Sequence, residues 1–409
     1  MDIITDYLWR TRTRGCVESR FIVAQQISRR RFLATSSRVT AAVLAPVRRA
    51  IDPQPPLAGG RFVRTLPLGD PTRLDDPPLN RLLGAGLDAR LFTDLSGLAP
   101  GNLITANDQF FVRTAYPDEA TTIDPWTIAL GGQDQPRKVR LDTLDRLVAP
   151  IGAHLLECAG NTNPNNYGLM GVARWDGIPI RALLDRLPTP SRRSRVLIAG
   201  VDDEQHPSRT STAGASWIFS QDDLERAFLA THMNGASLPR HHGAPARLVV
   251  PGWYGCTCIK WVNRIELVPE DAPATSQMRE FAARTHQPAD ATRARDFAPA
   301  SIDVAAMPVR VEQWAVDGGR PLYRVIGIVW GGSASTTPLQ IRFRSSEAWV
   351  DVSDCPPSRS PDTWSLWSHQ WQAKAPGRYQ IVLRVKDPAI RTRRLDLFFY
   401  VRAVDVTEV

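Results

Sequence analysis

From residue 321 to residue 404 the chain offers one strand-like segment after another and no helical period. The segments are PLYRVIGIVWGG (321–332), PLQIRFRS (338–345), AWVDV (348–352), DTWSLWSHQWQA (362–373), GRYQIVLRVKD (377–387) and RRLDLFFYVRAV (393–404), and turns separate them. Short strands at such spacing cannot bury an apolar face alone. Antiparallel pairing into two packed sheets is the arrangement open to them. The pattern predicts an all-β sandwich over residues 301–409.

That sandwich is immunoglobulin-like in size and rhythm. The chain before it reads differently. Over residues 101–270, strands are expected at DQFFVRTAYP (108–117), WTIALGG (126–132), HLLECAGNTN (154–163), SRVLIAG (194–200), ARLVVPGWYG (246–255) and IKWVNRIELV (259–268). Helices are expected at LDTLDRLVA (141–149), IPIRALLDRLP (178–188) and DLERAF after an N-capping Ser220 with Asp223. Asn234-Gly235 marks a turn. The mixture predicts an α+β domain. It lacks the regular strand-then-helix period of a doubly wound or barrel fold, and no GxGxxG or GxxxxGK[ST] occurs. Residues 51–100 read as an irregular arm, and residues 271–300 as a linker or arm with a short helix at SQMREFAAR.

Charge is concentrated at the start. Residues 1–50 hold ten arginines against three acidic residues, which leaves about one of the net +8 for the remainder. The folded part therefore has no charge excess of the kind that nucleic acid requires. No run of 18 apolar residues reads as a membrane span, and five cysteines in 409 residues exclude a small disulfide scaffold. Ser28-Arg29-Arg30-Arg31-Phe32-Leu33, followed by a mildly apolar, small-residue stretch, resembles a twin-arginine export signal. Residues 1–50 are thus expected to be a basic leader, processed somewhere in 45–57, and the mature protein periplasmic or otherwise exported. A non-functional leader would leave it cytoplasmic.

Chemistry concentrates at two places. Cys158 sits where the apolar run His154-Leu155-Leu156 meets the small turn Ala159-Gly160-Asn161. Such a turn lets a ligand approach the backbone, and the thiolate suits a nucleophile, a soft metal ligand or a buried structural residue. The block NGASLPRHHGAPARLVVPGWYG (234–255) packs His241, His242, Arg247 and a glycine-rich bend between apolar strands, with Lys260 just beyond. These cations suit a phosphate or another anion, or else a solvated loop with an internal ion pair. Cys256 and Cys258 fall on one strand face, and Tyr254 beside them suits a pocket. Cys355 reads as structural.

Three blocks together resemble the sulfite oxidase family of molybdenum enzymes: DQFFVRTAYP (108–117), HLLECAGN (154–161) and NGASLPRHHGAPARLVVPGWYGCTCIKWVNRIEL (234–267). ARWDGIPIRALL (173–184) also fits the stretch that follows the family's cysteine turn, and the sandwich matches its second domain. The resemblance implies a sulfite-oxidase-type molybdopterin-binding domain with Cys158 as the one protein thiolate on molybdenum, whose dithiolene comes from one molybdopterin. It implies that Asn161 builds the turn, that His242, Arg247 and Lys260 hold the pterin or its phosphate, and that Arg113 reaches a small anionic substrate. Many sulfite-oxidising members continue the turn as Asn-Arg-Arg. This chain has Asn161-Thr162-Asn163. The family's pocket tyrosine is missing from Ser276–Phe281, leaving Tyr254 or Tyr167 as replacements, of which Tyr254 is taken as catalytic. No His-Pro-Gly-Gly heme motif occurs.

The function implied is oxidation of sulfite to sulfate by oxygen-atom transfer. Electrons would pass to an external carrier, a c-type cytochrome being the natural one, and the sandwich is associated with homodimers. The alternatives are reduction of an S-oxide or N-oxide at the same molybdenum centre and a cofactor-free interaction protein.

Overall fold

The longest strand is one that sequence pattern does not reveal. Ala305–Val316 is twelve residues long and buried over its first ten, including Arg310, Glu312 and Gln313. It belongs to a computed structural model that describes residues 59–69, 81–82, 89–114, 124–132, 136–162, 167–187, 194–202, 215–316, 318–332, 337–357 and 360–409. The leader with Arg29 and Arg30, and Asn163 after the cysteine turn, lie outside the described residues.

Ala305–Val316 runs between Gly60–Leu66 and Leu322–Trp330 in an antiparallel sheet that Ser365–Trp371 completes. The segment expected as an irregular arm thus supplies an edge strand. A second antiparallel sheet orders Val350–Asp351, Leu339–Arg342, Gly377–Val385 and Arg402–Val406. Trp371 of the first sheet joins the two. Its ring stacks on Phe343 at 4.1 Å and meets Tyr379 edge-on at 4.7 Å. The tail segments form strands as expected, except that residues 393–401 precede the last strand as turns.

Upstream, one sheet orders Ser216–Phe219, Ser194–Gly200, Val262–Pro269, Thr127–Gly132 and Arg137–Arg140, with Val262–Pro269 and Thr127–Gly132 parallel. Another orders Ala236–Ser237, Phe228–Met233, Met170–Pro179 and Ala149–Glu157, and Arg247–Val249 pairs with Phe228–Met233. Residues Asn234 and Gly235 both take positive φ, the conformation a two-residue hairpin needs, between Phe228–Met233 and Ala236–Ser237. A small sheet pairs Ala89–Leu91 with Val112–Thr114.

The α+β expectation is corrected to a mostly β fold. Among the described residues only Ile180–Leu184 and Ser276–Phe281 are α-helices. Leu141–Leu147 is a 3₁₀ helix that buries Leu141 and Leu144. Ser220 and Asp223 do bond reciprocally, at 2.8 and 3.1 Å, but the cap opens a single 3₁₀ turn, Asp222–Leu224. Phe228, read as the next turn of that helix, begins a central strand instead, because its backbone pairs with Pro179 and Val249. Tertiary pairing overrides local helical spacing here.

Candidate active site

Strand Ala149–Glu157 is progressively buried toward its end and delivers Cys158 into a tight turn. The Cys158 amide donates to Leu169 O at 2.9 Å, and the Asn161 amide donates back to Cys158 O at 3.0 Å. Asn161 pins the turn from its side chain, accepting from the Leu169 amide at 3.2 Å and donating to Tyr167 O at 3.3 Å. Gly160 donates to Cys158 Sγ at 3.4 Å. Burial pushes the Cys158 thiol upward, opposed by that amide and by the charges of Arg113 and Arg284. A soft metal cation would reverse the balance, since a coordinated thiol loses its proton.

Across from the thiol lies a cluster of basic side chains. His242 closes a short turn whose last residue, Gly243, sits at φ 110°; a Cβ there would come within 3.0 Å of Cβ in both Arg247 and Lys260. The cluster therefore requires glycine at its centre. Arg247 donates to His242 O at 3.0 Å and Cys258 O at 3.1 Å, while its Nε is buried without a partner. Lys260 donates to His241 O at 2.8 Å and to Arg113 O at 3.4 Å. The next residue, Trp261, is held at φ 50°, a left-handed conformation that costs ~1–3 kcal/mol and fixes where Lys260 emerges.

Burial without enough negative charge depresses these groups. His242 falls to about 2, through burial and then the charges of His241, Lys260 and Arg247. Lys260 falls to about 7, through burial and then Arg247, with Asp202 opposing. Arg247 falls to about 10 through burial. Orphaned Nε, crowded cations and a glycine cradle fit an anionic phosphate. One half-buried thiol nearby fits a metal that brings its other ligands with it. Among the described residues no group of three or more His, Cys, Asp or Glu side chains gathers to hold an ion unaided.

Directly behind the thiol is a different arrangement. Glu157, fully buried, takes Arg393 Nη1 and Nη2 at 2.7 Å each, Tyr167 Oη at 2.9 Å and Trp330 Nε1 at 2.8 Å. Tyr400 joins through Arg393 at 2.9 Å and Tyr167 at 3.1 Å. Tyr254 stacks on the Arg393 guanidinium, 5.2 Å from its ring centre.

The structure thus brings together Cys158, Arg113, Lys260, Arg247, His242 and the Asn161 turn. It places Tyr254 and Tyr167 in the Glu157–Arg393 network, and the charges acting on Tyr254 are Arg393, Glu157, Tyr400 and Asp303. Sequence reasoning missed Glu157, Arg393 and Arg284. A carboxylate ending an apolar strand must find a cation, so Glu157 carried a readable signal. Its partner did not stand out in a chain with 50 basic residues. The segment 271–300 packs against this region: Gln277 Nε2 bonds Cys256 O, and the Tyr254 amide donates to Ala300 O at 3.0 Å.

Comparison with known proteins gives the same picture. A family model described as an oxidoreductase molybdopterin binding domain matches residues 114–276, which span Cys158, Asn161, His242, Arg247, Tyr254 and Lys260. Human mitochondrial sulfite oxidase is 28% identical over 303 residues, covering 67% of this chain and 53% of that one. Chicken sulfite oxidase is 26% identical over 324 residues, covering 69% and 66%. A tobacco NADH nitrate reductase is 28% identical over 218 residues, covering 48% and 22%. The chain therefore matches about half to two thirds of the length of these sulfite oxidases. The crystal structure of the sulfane dehydrogenase SoxCD from Paracoccus pantotrophus shares the fold, with a TM-score of 0.56 at 16% identity over 92% of this chain and 96% of that one. Domain match, relatives and the cysteine-and-cation site converge: residues 114–276 carry a molybdopterin-binding oxidoreductase domain, the cofactor is molybdenum with molybdopterin, and the chain is similar to the sulfite oxidases.

Proposed function

We propose that this protein oxidises sulfite to sulfate, with water supplying the oxygen atom and two protons and two electrons released. The observation that carries the reading is the convergence of Lys260 and the Arg113 backbone near Cys158, with Arg113 acting electrostatically on the thiol. Molybdenum held by one molybdopterin supplies two-electron oxygen-atom transfer when bound. Cys158 holds the metal as a thiolate. Asn161 keeps the turn closed around it. His242, Arg247 and Lys260 hold the pterin and its phosphate, and Lys260 becomes fully cationic on gaining that anion. Arg113 orients the small anionic substrate, and the buried wall around Tyr254 excludes water from the rear of the turn.

The electron acceptor is read as an external carrier of the c-type cytochrome kind. The two antiparallel sheets of the C-terminal half are read as the immunoglobulin-like unit through which homodimers form. The Arg29-Arg30 leader is read as directing export of the folded protein, and changing both to Lys should retain the precursor inside the cell. A second reading, reduction of a neutral S-oxide or N-oxide, draws on the uncharged, exposed Thr162 after the turn.

One preparation tests the proposal: molybdenum and pterin content, then sulfite-dependent reduction of an artificial acceptor. Arg113→Gln should lower kcat/KM for sulfite by roughly 30-fold or more, as loss of one partner of a partly dry ionic contact does, while sparing a neutral sulfoxide. Metal-loaded protein that ignores sulfite but reduces the sulfoxide would replace this reading with the second.

A further inference from the structure

With two arginines of the family's cysteine turn replaced by Thr162 and Asn163, positive charge for an anionic substrate has to come from elsewhere. The geometry points to Arg284, which we infer is a substrate-positioning residue specific for anions at the Cys158 face. This rests on the reading of the site as one that takes a small oxyanion.

Arg284 belongs to the 3₁₀ turn Ala283–Thr285, just after the helix Ser276–Phe281. A methyl group built on Gly160 would stand 3.7 Å from Arg284 Nη1 and 3.8 Å from Cys158 Sγ. Guanidinium and thiol therefore flank one point above the glycine of the turn, no farther apart than the sum of those distances. Arg284 is among the cations whose charge acts on the Cys158 thiol, with Arg113 and Lys260. Arg284 also acts on neighbouring Cys256.

Two contrasts separate it from the other arginines nearby. Arg393 spends its charge on Glu157 in a two-pronged bond. Among the described residues Arg284 has no carboxylate within ion-pair distance; its guanidinium lies 5.3 Å over the Phe281 ring, which orients it without neutralising it. Arg247 is buried and committed to backbone carbonyls, whereas Arg284 is exposed beside a half-buried thiol. A held but unneutralised arginine is suited to capture an arriving oxyanion, donating from a planar fork. The helix just before its turn is anchored by Thr275, which caps it and donates to Ser216 O at 2.8 Å, so the arginine follows a fixed support.

The test compares holoenzyme of wild type, Arg284→Gln and Arg284→Lys. Sulfate binding to the oxidised holoenzyme is measured by calorimetry, beside kcat and KM for sulfite and molybdenum and pterin content. Arg284→Gln should weaken sulfate binding and raise KM for sulfite by about tenfold, and Lys should recover all but about threefold, since a point charge keeps the attraction and loses the fork. Cofactor content should not change. Sulfate affinity within twofold of wild type in the Gln variant overturns the inference even where sulfite turnover is normal, and so does lost pterin, which would make Arg284 a cofactor ligand. If wild type turns over no sulfite but the Gln variant still loses sulfate, the sulfite reading falls and the role of Arg284 stands.

Discussion

Glu157 and Cys158 are adjacent in sequence and face two kinds of buried charge. On the Glu157 side, Arg393 is met by a carboxylate and two tyrosine hydroxyls, and that carboxylate also takes an indole N–H. The same holds in the C-terminal sheet, where Glu312 accepts from Arg310 at 3.0 Å, Trp314 at 3.1 Å and Arg324 at 2.6 Å. On the Cys158 side, His242, Arg247 and Lys260 are buried or half-buried against one another and lean on backbone carbonyls. A network whose charges are matched by its own chain is scaffold, even with Arg393 Nε and Arg310 Nη2 left without a hydrogen-bond partner. One left short of negative charge by its own chain is built around something brought from outside. Protein and cofactor share the work along a boundary one peptide bond wide.

Four experiments break or sharpen that contrast. The largest effect belongs to Cys158→Ser, which should abolish more than about a thousandfold of turnover, since a hydroxyl cannot replace a soft thiolate in a unit that acts together. The protein should stay folded, because the turn's bonds to Leu169 and Asn161 use the backbone; circular dichroism beside metal-normalised activity decides it.

On the closed side, Arg393→Met should cost about 3–5 kcal/mol of stability by stranding Glu157, and adding Glu157→Gln should return part of that loss. Denaturant unfolding of the two single variants and the double variant measures the coupling, and additive losses would dissolve the contrast. On the open side, Arg247→Ala should weaken pterin retention by roughly tenfold or more, the order of one charge-assisted bond, while costing little fold stability. Pterin content after dialysis is the readout.

The smallest effect is one of pH. Lys260 is held near 7 in the folded protein against 10.5 for a free lysine. Between those values the unfolded chain binds the proton and the folded one does not, so stability of the cofactor-free protein rises with pH through that window and the gain is absent below about 7. The slope cannot exceed roughly 1.4 kcal/mol per pH unit, because one lysine contributes at most one proton difference. Lys260→Met should flatten the dependence, and a bound cofactor should flatten it too.

Sequence pattern made the open side legible and left much of the closed side dark. Cys158, His242, Arg247 and Lys260 stood out because small and cationic residues interrupt apolar strands there, and the turn they imply is present. Ala305–Val316 escaped because Pro308, Arg310 and Glu312 break the alternation that marks a strand; their burial makes sense only once Arg324 and the carbonyl of Leu98 are alongside. The helix over DLERAF failed for a related reason, since Phe228 is claimed by two partner strands distant in sequence. Arg284 and Arg393 are defined wholly by what surrounds them in space.

The pairing of Gly60–Leu66 with Ala305–Val316 bears on how the molecule is made. Arg64 and Gln313, joined at 2.7 Å, are 249 residues apart in the chain. At roughly 5–20 residues per second of synthesis, the first-made strand waits on the order of ten seconds or more before the ribosome has delivered its neighbour. Throughout that interval Phe62 and Val63, which remain surface-exposed even in the finished sheet, belong to an open edge. Completion of this sheet is therefore a late event in the life of the nascent polypeptide, and chaperone occupancy of residues 60–66 should persist until the last third of the chain has emerged.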